Sequence, residues 1–428
     1  MKELWRNRVF LIVFSTDLLE NIGVWIRNMA LLFFVMEISG NNPTAVSLLT
    51  AIEYVPILLF SVIGGALADR WDPKRTMISA NLLSSLSVCV IAVLLWKGYW
   101  SAVFFATFVS AVVSQFSQPA SAKVFKIHVP EEQVGSAISV SQSMGSLFIL
   151  FGPIVGTFVY EASGVYVSLF AMALLFLLSA FMLLGLPSSK RASSVSDSHE
   201  KTSLLAEIKD GIRYVRHHSH LRGIVWLFAM LGLGLGSGLI NPLEVFLVTD
   251  RLQLPKESIQ WFTALEGVGM LLGGILASAL HRQLNGKLVI HGAIVFFAVS
   301  VVVEALSTSA PLTGTMRLLS GVLLAFLQIV LSMKMIHLVA EEYVGRVNGT
   351  MTPLFVALVM ISSFVAGPLM ELTSLITVFC LSGFFLLLGS LGVNKIMEAE
   401  PPQSQSNQEQ QHPLSKPKHQ QSLETEQL

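Results

Sequence analysis

The feature that most limits this chain is the recurrence of apolar stretches about as long as a bilayer is thick. There are twelve, at about 9–38, 45–68, 75–96, 99–122, 134–160, 165–186, 221–249, 258–280, 287–308, 311–337, 346–370 and 374–396. Hydrocarbon offers no water to bond the backbone, so each crossing segment must satisfy its own N–H and C=O groups, which a helix of about 20 residues does. The expected fold class is therefore an all-α polytopic membrane protein with twelve transmembrane helices. Composition agrees: 13% of the 428 residues are charged and 53% hydrophobic, against roughly 25% charged in a soluble domain. A net charge of zero, with no basic face interleaved with aromatics, excludes a nucleic-acid partner. Cys89 and Cys380 lie in apolar runs and read as small hydrophobes, not as a disulfide or metal pair. Met1 to Arg8 is basic, but the apolar run after it is too long for a removable leader and lacks a small-residue cleavage site. It is expected to stay as a membrane anchor.

The cationic side chains orient the spans. Lys97, Arg251 and Lys256 fall on one side and Arg27 and Arg317 within spans; the rest of the 27 lysines and arginines lie on the side of the N-terminus. Because cationic loops stay in the cytoplasm, both termini are expected there. The chain also reads as a duplication. GGALAD at 64–69 returns as GGILAS at 273–278, and VPEEQVG at 129–135 as VAEEYVG at 339–345, at offsets of 209 and 210 residues. Two six-helix parallel repeats are one way secondary carriers are built, with the cargo site between the halves near the midplane. The expected organisation is a first half at 1–186, a cytoplasmic linker at 187–220, a second half at 221–396 and a disordered Gln-, Ser- and Pro-rich tail at 397–428. Within the linker Leu205, Ile208, Ile212 and Val215 form one helical stripe, as in a helix lying on the cytoplasmic leaflet.

Residues 64–75, GGALADRWDPKR, end one span and begin the next. Asp69 stands at the helix end where exposed carbonyls disfavour an anion, so it requires a partner. Asp72 before Pro73 is a helix start, a capping side chain followed by the residue whose missing N–H costs nothing there. This stretch resembles the signature loop of the major facilitator superfamily, G-x-L-A-D-R-x-G-R-K, matched by Gly65, Leu67, Ala68, Asp69, Arg70 and Lys74. Asp72 and Pro73 stand where the family has Gly and Arg; an Asp at the first of these positions resembles the macrolide-efflux-like branch of the drug:proton antiporters. Phe116 to Ala120, Gly152-Pro153 with Gly156, and Asp210 to Arg216 are further family-like pieces. The resemblance covers about residues 9–396. It implies the major facilitator fold, a small-molecule cargo, a bacterial cell membrane, a monomer, and a cytoplasmic gate of Gly65, Asp69, Arg70 and Lys74 closing against Arg346. It also implies that Gly152, Pro153 and Gly156 form a helix-packing motif. Two departures matter: the fourth span lacks the Arg that often relays charge to this loop, and the second-half copy has Ser278 in place of Asp69.

Charges inside spans are costly and default to function. Asp17, Glu20, Asn21, Arg27 and Asn28 share one sector of span one, roughly 120° wide. Glu20 and Arg27 lie about 10 Å apart along the axis, within reach through long side chains or water. Glu53 in span two and Glu266 in span eight are echoes in the two halves, and Glu244 follows Asn241-Pro242 in span seven. A carboxylate drawn out of water exchanges its proton nearer neutral pH, so Asp17, Glu20, Glu53, Glu244 and Glu266 are the candidates for proton coupling or cargo binding. The alternative for each is a packing bond between helices. Glu304 and Arg317 flank a short outer turn and read as a structural ion pair. Gln115, Gln118 and Gln328 are cavity or bridging amides.

Other patterns carry no chemistry. GLGLGSG at 232–238 lies inside a span and precedes no helix start, so it is not a nucleotide loop. His217, His218 and His220 lack a second ligand group, and no metal is expected. No GxxxxGK[ST] motif occurs, so ATP is not the driver. The chain is expected to be a secondary active transporter and not an enzyme. It would work by alternating access without a cofactor, exporting an amphipathic drug-like or toxic compound against protons. A specific exporter or importer of another small molecule, such as a siderophore or lipid, is the alternative. A non-transporting sensor or scaffold would need a folded output domain, for which the linker and tail offer no sequence.

Overall fold

A computed structural model describes residues 3–68, 71–187, 213–235, 238–280, 285–339 and 341–394, with side chains throughout except at 61–68, 336, 337, 341, 342, 344–346, 348 and 350. The described residues fold as helices, numbered here in chain order: α1 (Arg8–Ile38), α2 (Pro43–Ala68), α3 (Pro73–Trp96) and α4 (Ala102–His128). Glu131–Leu183 is one helical stretch broken at Gly164, whose φ of 74° and ψ of −179° end α5 (131–163) and begin α6 (165–183). Only glycine adopts that backbone without strain. There follow α7 (Ser219–Gly234), α8 (Ile259–Leu280), α9 (Gly286–Leu306), α10 (Ala310–Leu338), α11 (Glu341–Leu372) and α12 (Leu375–Gly389). Ten helices among the described residues are long and apolar enough to cross a bilayer. One of them is the broken stretch that makes two crossings, and α7 with the irregular segment after it completes the twelve.

Caps set where the helices start. Asn7 Oδ1 accepts from Val9 N at 2.9 Å and Phe10 N at 3.2 Å to open α1. Asp72 Oδ1 accepts from Arg75 N at 2.9 Å, with Pro73 in the first turn of α3, the start read from the sequence. The seventh crossing differs from the unbroken span expected at 221–249. After Gly234 the chain leaves the helix, resumes as a 3-10 turn at Asn241–Leu243, and passes through one helical turn at Glu244–Phe246 into a wide turn at Leu247–Arg251. Pro242 supplies no N–H, and Gly234 and Gly238 on either side of the break are poor helix formers. Ser362 and Ser382 repair the break by donating to the carbonyls of Gly232 and Gly234.

Asn7 bonds His128 O at 3.4 Å, and Lys74 Nζ donates to Leu184 O and Leu186 O, which gathers those residues at one end of the bundle, the near end. Thr44 N donates to Glu371 Oε1 at 3.2 Å at the opposite, far end. Within the first half α1 packs on α5 and α3 on α4 and on the 131–183 stretch; within the second, α8 packs on α10 and α9 on α12. The halves meet along two seams, α2 against α11 and α5 against α8. These are one seam twice, because the duplication makes α8 the copy of α2 and α11 the copy of α5. Phe158, Phe170 and Phe181 point outward, about two-thirds exposed, whereas Phe10, Phe33, Phe246 and Phe379 are fully buried. Outward phenylalanine is what a hydrocarbon solvent permits.

Candidate functional site

The polar sector of α1 turns inward. Asp17, Glu20, Asn21 and Arg27 line a cavity of about 650 Å³ in the first half, together with Asn81, Ser114, Gln115, Gln118 and Ser141. Asn81 Nδ2 donates to Glu20 Oε1 at 2.8 Å, and Ser141 Oγ donates to Asp17 Oδ2 at 3.3 Å. Asn21 Nδ2 donates to the Asp17 carbonyl at 2.8 Å. Arg27 does not meet Glu20. Its Nε and Nη2 donate to Asn28 Oδ1 at 3.0 and 2.7 Å, and Nη2 lies 3.8 Å from Glu53 Oε1. One-residue spacing lets Asn28 fold back onto the guanidinium, so the arginine's reach is spent beside its own turn. The buried Arg27 Nη1 has no hydrogen-bond partner.

The second half gathers its charges around Arg317. Nη1 lies 2.6 Å from Glu244 Oε1 and 3.3 Å from Glu266 Oε2, and Nε lies 2.8 Å from Glu304 Oε2. Ser300 Oγ donates to Glu304 Oε1 at 2.9 Å and sits 3.3 Å from Ser320 Oγ. The Glu304–Arg317 pair read from the sequence is thus one spoke of a hub. Four crossings contribute: the seventh by Glu244, α8 by Glu266, α9 by Glu304 and α10 by Arg317. The break at Pro242 places Glu244 at the start of a fresh helical turn, aimed at α10.

Between the halves lies a second cavity, about 260 Å³, lined from the first half by Trp25, Asn28, Met29, Thr50, Glu53, Tyr54 and Thr107 and from the second by Asn241, Glu244 and Thr263. Among the described residues that line it, none is a cation. Glu53 and Glu244 therefore face one space from opposite halves, each tethered behind to an arginine of its own half. At the far end Lys256 forms an ion pair with Glu37, which also accepts from Tyr160 Oη at 3.0 Å. The Lys256 ammonium lies 5.5 Å from the Phe33 ring centre and 5.7 Å from that of Tyr160. This cationic clasp joins α1 and α5 to the residues before α8.

The remaining sequence candidates fall as follows. Asp69 and Arg70 lie outside the described residues, as does the side chain of Arg346; Gly65 is in the helical backbone of α2. Lys74 ties α3 to the end of α6, inside one half. Gly152 lies directly against the Trp25 ring and Gly156 against the Trp25 carbonyl, so α5 closes on α1 where any side chain would intrude; Pro153 lines the inter-half cavity. Gln328 is exposed. Residues 188–212 and the tail from 395 lie outside the described residues; Tyr214 stacks on Tyr343 with centres 4.0 Å apart. Sequence reasoning missed Asn81, Ser141, the clasp and the Arg317 hub. The lone Asn81 in an apolar run was a signal for the first; the clasp joins residues 219 apart and had none.

The sequence model of the Major Facilitator Superfamily matches this chain twice, at residues 9–239 and 226–425. The multidrug efflux pump Tap of Mycolicibacterium fortuitum is 26% identical, over 91% of this chain and 95% of its own. Macrolide efflux protein A of Streptococcus pyogenes is 22% identical over 71% and 74%, and the MFS-type transporter YkuC of Bacillus subtilis 22% identical over 82% and 83%. Among solved structures, the nucleoside transporter NupG superposes with a TM-score of 0.70 at 13% identity, covering 92% of this chain and 99% of that one. A bacterial homologue of the iron transporter ferroportin does so at 0.68 and 16%, covering 92% and 99%.

Proposed function

The chain belongs to the major facilitator superfamily and is a multi-pass membrane transporter, and from that premise we propose that it exports a small amphipathic compound by alternating access, driven by protons entering the cell. The observation that carries this reading is the inter-half cavity. It takes one carboxylate from each half, Glu53 and Glu244, among Trp25, Met29 and Tyr54. Its walls are mixed, with Trp25, Met29, Leu32 and Ile259 beside Asn28, Thr50, Thr107 and Asn241, which suits cargo with both a greasy body and polar groups. Any rocking of the halves changes what both carboxylates face. The cationic loops support a cytoplasmic near end, and on that orientation the clasp between Lys256 and Glu37 would hold the outer face shut. The efflux pumps among the relatives support export as the direction, and the mixed apolar and polar lining supports an amphipathic cargo. Each charge crossing 100 mV supplies about 2.3 kcal/mol, which sustains roughly a 50-fold gradient of cargo.

The test is transport in proteoliposomes with an imposed pH gradient and a panel of lipophilic amines and neutral drug-like compounds. Flux of at least one compound is expected to follow the gradient, reverse with its sign and vanish with a protonophore. A panel in which no flux responds to the gradient contradicts the reading.

A further inference from the structure

Three carboxylates and one guanidinium meet in the second half. Were all ionised, the hub would carry two uncompensated negative charges inside the membrane. Among the described residues, Arg317 is the one cation paired with these carboxylates. Ser300 and Ser320 bring hydroxyls from α9 and α10, while Thr263 of α8 lines the inter-half cavity and donates to the Ile259 carbonyl. Across the cavity α2 presents Glu53 and Tyr54, which add negative charge or none, and Arg27 behind Glu53 is turned to Asn28. Asp250 is engaged by Thr249, and Arg251 by the Leu306 carbonyl. An uncompensated buried charge costs several kcal/mol, and among the described residues no group of three or more ligands could hold a metal ion there. Protons are the compensating species that fit.

We infer that Glu244, Glu266, Glu304 and Arg317 form the transporter's exchangeable-proton store, and that Glu244 is the member through which cargo in the inter-half cavity displaces the proton. The assignment rests on the export reading above for its direction, not for its chemistry. Each proton entering forms an O–H bond on one carboxylate oxygen and cancels that group's charge. One proton lowers the hub's net charge from −2 to −1, and a second leaves Arg317 paired with a single ionised carboxylate. Glu266 is the entry point: its side chain is 29% exposed, against 15% for Glu244 and 3% for Glu304, and its contact with Arg317 is the longest of the three. Glu244 is the exit to cargo, because it alone belongs to both the hub and the inter-half cavity. Asp17 and Glu20 line the first-half cavity, which adjoins the inter-half cavity at Glu53, and have hydroxyl or amide donors of their own.

An apolar carbodiimide tests this on the unmodified full chain. The reagent adds a protonated carboxyl's O–H across its C=N bond, and the adduct rearranges to a stable N-acylurea that peptide mass spectrometry locates. Labelling is expected on Glu266 or Glu244, falling by about tenfold or more from mildly acid to alkaline buffer, since an added proton occupies at most tenfold more sites per pH unit. The lipophilic cation tetraphenylphosphonium is expected to lower labelling at Glu244. In Arg317→Lys, which keeps the positive charge, labelling persists with a displaced pH dependence. Labelling confined to Asp17 or Glu20, or hub labelling indifferent to pH, overturns the assignment. The two readings fail separately. Hub labelling with no gradient-driven flux sinks export and keeps the store; gradient-driven flux with an unlabelled hub sinks the store and keeps export.

Discussion

At the scale of single residues the account turns on Arg317, because a guanidinium shared by three carboxylates is worth more than any one of its pairs. Removing a buried counterion leaves its partners unpaired and costs about 3–5 kcal/mol. Arg317→Ala is therefore expected to lower thermal stability in detergent sharply, and adding Glu304→Gln is expected to recover part of the loss by removing one of the stranded charges. A double variant no more stable than Arg317→Ala would mean that Glu304 is not part of one electrostatic unit with it. The sequence shows each of these residues, since a charge in an apolar run is conspicuous. It does not show their meeting, because Glu244 reaches α10 only through the break at Pro242. That break replaces the straight helix which the hydrophobic run at 221–249 implies. The Glu20–Arg27 approach fails for the opposite reason. Axial spacing permits it, but the adjacent Asn28 and the nearby Glu53 are closer partners for the guanidinium.

At the scale of elements the structure is built from close helix contacts that the sequence signals well. Glycines mark them: Gly156 against the Trp25 backbone, Gly273 against the backbone of Val322. Span boundaries were legible because apolar length is dictated by the bilayer, and Asp72-Pro73 was legible because capping is local chemistry. The far-end clasp was not, since Lys256 and Glu37 sit in separate halves and each alone is an ordinary charge at a helix end. With Glu37 58% exposed, the ion pair contributes roughly 1 kcal/mol, about a fivefold shift between closed and open far ends. Lys256→Met is accordingly expected to raise the labelling rate of a far-end cysteine by about that factor, measured with a membrane-impermeant thiol reagent after Cys89 and Cys380 are replaced. An unchanged rate would mean that the α2–α11 seam holds the far end shut without the clasp.

At the scale of the whole molecule, duplication explains why one seam type occurs twice, but not why Glu53 of α2 and Glu244 of the seventh crossing border the same cavity, since the copy of α2 is α8. It does not make the halves alike. The first half holds a wide polar cavity with acids on amide and hydroxyl donors; the second packs its acids around one arginine. That asymmetry suits a division of labour, with cargo entering beside the first half and protons stored in the second. On the proposed mechanism the halves rock so that the inter-half cavity opens to one face at a time. The most direct measurement of that motion is a pair of pulsed electron–electron distance experiments in nanodiscs. One spin pair replaces Ile38 and Leu372 at the far end, the other Lys126 and Lys287 at the near end, each in a background without Cys89 and Cys380. On changing pH or adding tetraphenylphosphonium, the far-end distance is predicted to lengthen as the near-end distance shortens. Distances that stay fixed, or that move in the same direction at both ends under every condition, would contradict it.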